Sequence, residues 1–300
     1  PTYDKEFIKK QNYTDVLKTI SSFDPSIKSF SQKINHYIKR LSNNLEPIYL
    51  NVGKTKIRLI QNRLHNSFEI KKREQFLDNY AEKTLQDEKF LYFPLQSEPE
   101  ASILLNTPFY SNQINLIETI AKSIPINYVL YVKEHPLQKI KLWRSIEDYK
   151  KIRNIPNVRF LHPSVNAQEV LEKSQGVIAI SGATGFEALF YHKPVFLFGD
   201  EYYDKLSMVT KIETFDELSY KIQNTLSNFE FNEKELSILV KVLKEFALPI
   251  PYYSILKDGV SLSSFQKNHK NFNLINLEFE KFIKKWEEEF TLLAKTILLR

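Results

Sequence analysis

Between Lys89 and Phe198 the sequence alternates short, unbroken apolar runs with stretches of helical periodicity, and this alternation leaves few architectures open. The runs are FLYF (90–93), YVLYV (128–132), VRFL (158–161), VIAI (177–180) and VFLF (195–198). None shows the strict apolar–polar alternation of a half-exposed strand, so each reads as a strand covered on both faces. Between them, residues 112–123 carry Ile114, Ile117, Ile120 and Ala121 at helical spacing. Residues 142–152 and 186–191 also read as helices, and Asn166-Ala-Gln-Glu169 is a capping box opening a helix to Lys173. Five strands alternating with helices, joined by short right-handed crossovers, predict an α/β fold on a doubly wound parallel sheet.

Outside this block the chain reads as helical. Asp24-Pro25 places an N-cap before a proline at the first helical position, and Ile27, Phe30, Ile34, Ile38 and Leu41 follow at helical spacing. Residues 49–52 (YLNV) read as at most a short strand, 58–64 as helix and 71–86 as a charged helical connector. Helical periodicity returns at 215–226 and 234–246 and is broken by Pro249-Ile-Pro251. Near the end, Ile275, Phe279, Phe282, Trp286, Phe290, Leu293 and Ile297 recur every three or four residues. That stripe predicts a long helix packed on the core or the N-terminal helices, on a partner helix, or on a membrane surface. The expected division is a helical region 1–87, a ligand-binding domain 88–215 and a helical region 216–300.

Four of the six glycines fall between Gly176 and Gly199. The turn Ser181-Gly182-Ala183-Thr184-Gly185 joins the fourth strand to a helix and is expected to leave N–H groups free at the helix's positive end, which suits a ligand's phosphate. Close strand–helix packing is the other use for these glycines. The spacing fits neither G-x-G-x-x-G nor a Walker A loop. Thr184-Gly-Phe-Glu187 also reads as a capping box, so Glu187 either reaches back to the cap or holds a ribose or sugar hydroxyl.

Ligands of open parallel sheets gather at the C-terminal strand ends, and further polar motifs sit there. Gln96 and Glu100 share the proline-rich loop after the first strand. A carboxylate in that loop serves as a general base, orients a hydroxyl, or stands in a solvated turn. Lys133-Glu134-His135-Pro136 follows the second strand. Pro136 holds the residue before it extended, which aims His135 at the rim to donate to a phosphate, protonate a leaving oxygen or cap a neighbouring backbone group. Lys133 adds charge. Weaker candidates are His162 and Ser164 after the third strand, Asp200 and Glu201 after the fifth, and Arg144, read as an exposed helical residue within reach of a phosphate.

Composition removes several alternatives. A net charge of +6 without a Lys/Arg block does not point to nucleic acid. There is no cysteine, hence no disulfide or thiolate chemistry. No apolar run approaches the roughly 20 residues of a membrane span, and nothing reads as a signal peptide. His36, His65, His192 and His269 lack metal-ligand spacing, and neither Asp-x-Asp nor G-x-S-x-G occurs, so no metal site is expected. The chain begins at Pro1, as a piece of a longer protein would.

The blocks FLYFPLQSEPEAS (90–102), LYVKEHP (130–136), IPNVRFLHPS (155–164) and ISGATGFEALFYHKPVFLFGD (180–200) resemble, in order and spacing, the bacterial capsule polysaccharide biosynthesis proteins. That group includes the β-Kdo glycosyltransferases of capsule and lipopolysaccharide assembly. The resemblance spans about residues 88–205. The family's Q-x-x-x-E motif stands here as Gln96…Glu100 and its H-P motif as His135-Pro136. The resemblance implies a GT-B type transferase, in which residues 88–215 are the Rossmann-like donor domain and transfer needs no metal or cofactor. It places Gln96 and Glu100 beside the reacting sugar, and His135, the third expected catalytic residue, at the donor phosphate together with the Ser181–Gly185 turn. Lys133, Pro136, Ser181, Gly182, Ala183, Thr184, Gly185 and Glu187 would then hold the nucleotide-sugar donor, CMP-Kdo being one candidate. The acceptor would be a glycan or glycolipid, and the site of action the cytoplasm or the inner face of the cytoplasmic membrane, alone or in a capsule-assembly complex. The N-terminal region departs from the pattern, since it is too helical for a full acceptor domain. A CDP-alditol-type phosphotransferase, a nucleotide-sugar epimerase and a non-catalytic nucleotide-binding scaffold are the alternatives.

Overall fold

The computed structural model describes residues 56–100, 102–135, 138, 144–246, 248, 250–251, 254–255, 258–259, 262 and 272–298. The helices and short strand expected before residue 56 lie outside them. The chain divides into two compact units, Gln61–Lys241 and a second that includes Val242–Arg300.

The first unit is built on a six-stranded, all-parallel sheet in the order β3-β2-β1-β4-β5-β6. Its strands are β1 (Phe90–Pro94), β2 (Val129–Lys133), β3 (Val158–Leu161), β4 (Gly176–Ala179), β5 (Val195–Leu197) and β6 (Val209–Lys211). The doubly wound parallel sheet is thus as expected, with one strand more. β6 is three residues long with only its first residue buried, too short and too polar to show as an apolar run.

Both faces of the sheet are covered, which is why the strands read as unbroken apolar runs. One face carries Leu91, Phe93, Leu130, Val132, Phe160, Ile178 and Phe196. Against it pack α1 (Lys56–Tyr80) through Leu77, α2 (Gln113–Ser123) through Leu116, Ile117 and Ile120, α3 (Ile146–Arg153) through Tyr149 and Ile152, and α6 (Leu218–Asn228) through Leu218 and Ile222. The opposite face carries Phe90, Tyr92, Tyr131, Val177, Ala179, Val195 and Leu197. It is covered by α4 (Ala167–Lys173), α5 (Ala183–Leu189) and Leu236 of α7 (Glu233–Phe246). Asn112, Ser145 and Asn166 cap α2, α3 and α4 through side-chain oxygens. At α4 the expected cap forms, while Glu169 pairs with Lys173.

In the second unit the C-terminal stripe is two helices rather than one, α8 (Phe272–Lys285) and α9 (Glu287–Leu298). They part at Trp286, which is buried and donates its indole N–H to Asp258 at 3.1 Å. Lys285 pairs with the same carboxylate at 2.6 Å. Among the described residues no helix is long and apolar enough to cross a membrane.

Candidate functional site at the topological switch point

From β1 the chain winds outward to β2 and β3, then returns to the other side of β1 with β4 and continues to β6. Open α/β sheets bind ligands at such a reversal, in the crevice outside the strand ends, here those of β1 and β4. Gln96, just past β1, bridges it. Its side-chain N–H donates to the carbonyl of Ser181, just past β4, at 2.8 Å. The backbone N–H of Gln96 donates to Gln113 Oε1 of α2 at 2.8 Å, and Gln113 Nε2 donates to the Gln96 carbonyl and the Glu98 carboxylate. The hydroxyls of Ser97 and Ser181 are buried at this crevice without hydrogen-bond partners among the described residues. Unsatisfied buried donors of this kind are uncommon in native folds.

The glycine turn differs from expectation in three ways. Gly182, at φ +90°, is itself the N-cap, so α5 begins at Ala183 and Thr184 lies inside the first turn. No side chain caps this helix, and the Thr184–Glu187 capping box does not form. The Gly182 N–H is also not free, because it donates to the Glu201 carboxylate from the loop after β5. Tyr203 of that loop donates to the Gly182 carbonyl at 2.7 Å. Gly185 and Gly199 serve packing: a Cβ would sit 2.5 Å from the Tyr203 hydroxyl at the first and 2.6 Å from the Ile180 carbonyl at the second. Glu187 is half-buried, and burial alone pushes its carboxyl up to about 7. Its charge is felt at Tyr92 of β1 and at Tyr203.

Lys133 ends β2, level with Pro94 of β1 and Leu161 of β3. Strand alternation puts it on the face of Tyr131, the one α5 covers. It is only 4% exposed and makes no hydrogen bond or ion pair among the described residues. Burial lowers its ammonium to about 8, against the pull of Glu134. His135 is half-buried, with its N–H on Glu134 Oε1 at 2.8 Å and its carbonyl accepting from Gln138. Pro136 lies outside the described residues. Only β1 separates β2 from β4. Two strand spacings are about 10 Å, so His135 and the Ser181–Gly182 turn lie on the same C-terminal edge of the sheet, on either side of β1.

Arg144 is the main correction among the candidates. It is not an exposed helical residue; it is 7% exposed, one residue before the Ser145 cap of α3. Its guanidinium pairs with Glu98 at 2.6 Å and Glu134 at 2.9 Å and donates to the Gln96 carbonyl at 2.5 Å. Burial opposes its charge, but the two carboxylates outweigh that and hold it more firmly protonated than usual. Glu134, itself 1% exposed, also accepts from the Tyr149 hydroxyl at 3.0 Å. The Ser145-Ile-Glu-Asp148 start signal would have placed Arg144 outside the helix. No sequence pattern would have singled out Glu98 or Gln113. Glu100 is exposed and contributes its backbone carbonyl to Ile103 and Leu104; its carboxylate makes no hydrogen bond or ion pair among the described residues.

The remaining candidates are engaged locally. His162 holds Asp78 at 3.3 Å through Nε2 and the Ser164 hydroxyl at 2.6 Å through Nδ1, at the far edge strand β3. Asp200 is exposed and paired with Lys211 at 2.5 Å, which lowers its carboxyl.

Among solved structures the chain is similar to the β-Kdo 2,7-transferase of Thermosulfurimonas dismutans KpsC, at 19% identity and TM-score 0.35 over 73% of this chain and 69% of that one. The β-Kdo 2,4-transferase of the same KpsC follows at 12% and 0.35, over 53% and 54%. UDP-GlcNAc 2-epimerase of Methanocaldococcus jannaschii, in complex with UDP-GlcNAc and UDP, gives 16% and 0.37, over 61% and 51%. The chain thus spans about half the length of the last two. No curated protein matches in sequence. The sequence profile of the capsule polysaccharide biosynthesis proteins matches residues 11–224, well beyond the blocks that first suggested it, and on that match the chain belongs to the capsule polysaccharide biosynthesis protein family.

Proposed function

We propose that this chain is a glycosyltransferase of surface polysaccharide synthesis, which moves a sugar from a nucleotide donor to a glycan or glycolipid acceptor at the cytoplasmic face of the membrane. One observation carries the reading. The loops after β1, β2 and β4 come together at the switch point, where Gln96 is bonded to Ser181 and the buried Lys133, near Glu134, forms no ion pair among the described residues. Breaking a glycosyl–phosphate bond leaves negative charge on the departing nucleotide, and preorganised donors in a desolvated crevice stabilise it. In this reading Lys133 and His135 meet the phosphate, Gln96 and Glu100 stand by the reacting sugar, and Glu187 takes a ribose or sugar hydroxyl. Kdo from CMP-Kdo is the first donor to try.

A thermal-shift panel of CMP, CDP, UDP and GDP, followed by donor turnover with and without EDTA, tests the reading. One nucleotide is expected to stabilise the protein, by about 2.7 kcal/mol at a hundredfold excess over its Kd. Turnover is expected to survive EDTA and to fall about 10²–10³-fold in His135→Ala. No nucleotide response together with no donor consumption would overturn it.

A further inference from the structure

The two motif loops at the crevice hang from one buried cation. Arg144 reaches the first loop twice, through the Gln96 carbonyl at 2.5 Å and the Glu98 carboxylate at 2.6 Å. It reaches the second through Glu134 at 2.9 Å. Each arm continues to a motif residue. Glu98 accepts from Gln113, which takes the Gln96 N–H, and the Gln96 side chain then spans to Ser181. The other Glu134 oxygen accepts the His135 backbone N–H at 2.8 Å. Gln138 adds a second tie, donating to the Glu98 carbonyl at 3.1 Å and accepting from its N–H at 2.9 Å. Only a guanidinium serves such a hub, because its planar fork offers five donors in fixed directions, whereas an ammonium is a compact point charge.

We infer that Arg144 is a positioning residue that sets Gln96 and His135 together, so that the two loops hold one relative geometry at the crevice. It touches neither donor nor acceptor and acts only through Glu98, Glu134 and the Gln96 carbonyl. The kinetic consequence rests on the glycosyl-transfer reading; the structural one does not.

The test is Arg144→Lys in the full chain, which keeps the charge and loses the fork. The side-chain NMR signal of His135, assigned by its disappearance in His135→Ala, is expected to move in Arg144→Lys while His162 and His192 hold theirs. In donor turnover, kcat is expected to fall at least tenfold with the donor KM within threefold. In a Gln96→Ala/His135→Ala background the same Arg144→Lys change is expected to alter kcat less than twofold, since a residue acting through others has no effect once they are gone. An unmoved His135 signal, or an equal loss of kcat in both backgrounds, overturns the inference. If the wild type neither responds to a nucleotide nor turns over donor, the glycosyl-transfer reading fails and the His135 signal still decides the role of Arg144. Should Arg144→Lys not fold, Tyr149→Phe removes one donor to Glu134. The His135 signal is then expected to move, and its constancy counts against the coupling.

Discussion

Lys133 and Glu187 are tuned by the same force in opposite directions. Burial drives the ammonium of Lys133 down to about 8 and the carboxyl of Glu187 up to about 7, because a desolvated group resists its charge. The unfolded chain keeps the Lys133 proton to about its ordinary 10.5 and the folded chain only to about 8. Between those values the unfolded state binds more protons, so stability rises with pH. Below pH 8 the full cost of burying the ammonium stands. Lys133→Met is therefore expected to stabilise the ligand-free protein at pH 7 by on the order of 2 kcal/mol and to weaken nucleotide binding. A lower Tm with unchanged nucleotide response would refute this. Glu187 has the opposite sign. Between pH 4.5 and about 7 the folded state holds the extra proton, so its contribution is complete below 4.5 and lost as pH approaches 7. Thermal scans should show part of the decline across that window vanish in Glu187→Gln.

At the scale of elements, the glycine turn shows how a motif can be located correctly and misread in detail. Its position after a buried strand was legible from VIAI and the glycines that follow. Which residue caps the helix was not, because Gly182 takes φ +90° and the chain enters α5 three residues before the expected start at 186. The glycines of this region fail differently when substituted. Gly182→Ala meets only ordinary van der Waals contact, the nearest atom being Gln96 Oε1 at 3.7 Å, and costs about 1–3 kcal/mol from backbone strain alone. Gly199→Ala puts a methyl 2.6 Å from the Ile180 backbone carbonyl, which cannot yield without moving the sheet. Urea melts should find Gly199→Ala the less stable of the two, and the reverse order would show that the β4–β5 loops are softer than their packing indicates. The break between α8 and α9 was hidden for a similar reason. A helical stripe of apolar residues is the same in one helix or two, and Asp258, distant in sequence, anchors the Trp286 indole at the junction.

At the scale of the molecule, the parallel sheet and the buried residues that cover both its faces lie within Gln61–Lys241. Deleting residues 272–300 is expected to leave the nucleotide-dependent thermal shift intact, and its loss would place part of the site in the second unit. The sequence by itself determined the sheet type, five of its six strands and the helices between them. Those features follow from local periodicity and from the rule that parallel strands are buried on both faces. Family membership was legible in the same way, from motif blocks in fixed order. Only the tertiary structure decided which polar residues are joined. Arg144 meets Glu98 and Glu134 across intervals of 46 and 10 residues, and Glu201 takes the Gly182 N–H. Such pairings are chosen by which buried charge has a partner within reach once strands β1, β2 and β4 lie side by side, and no local pattern records that.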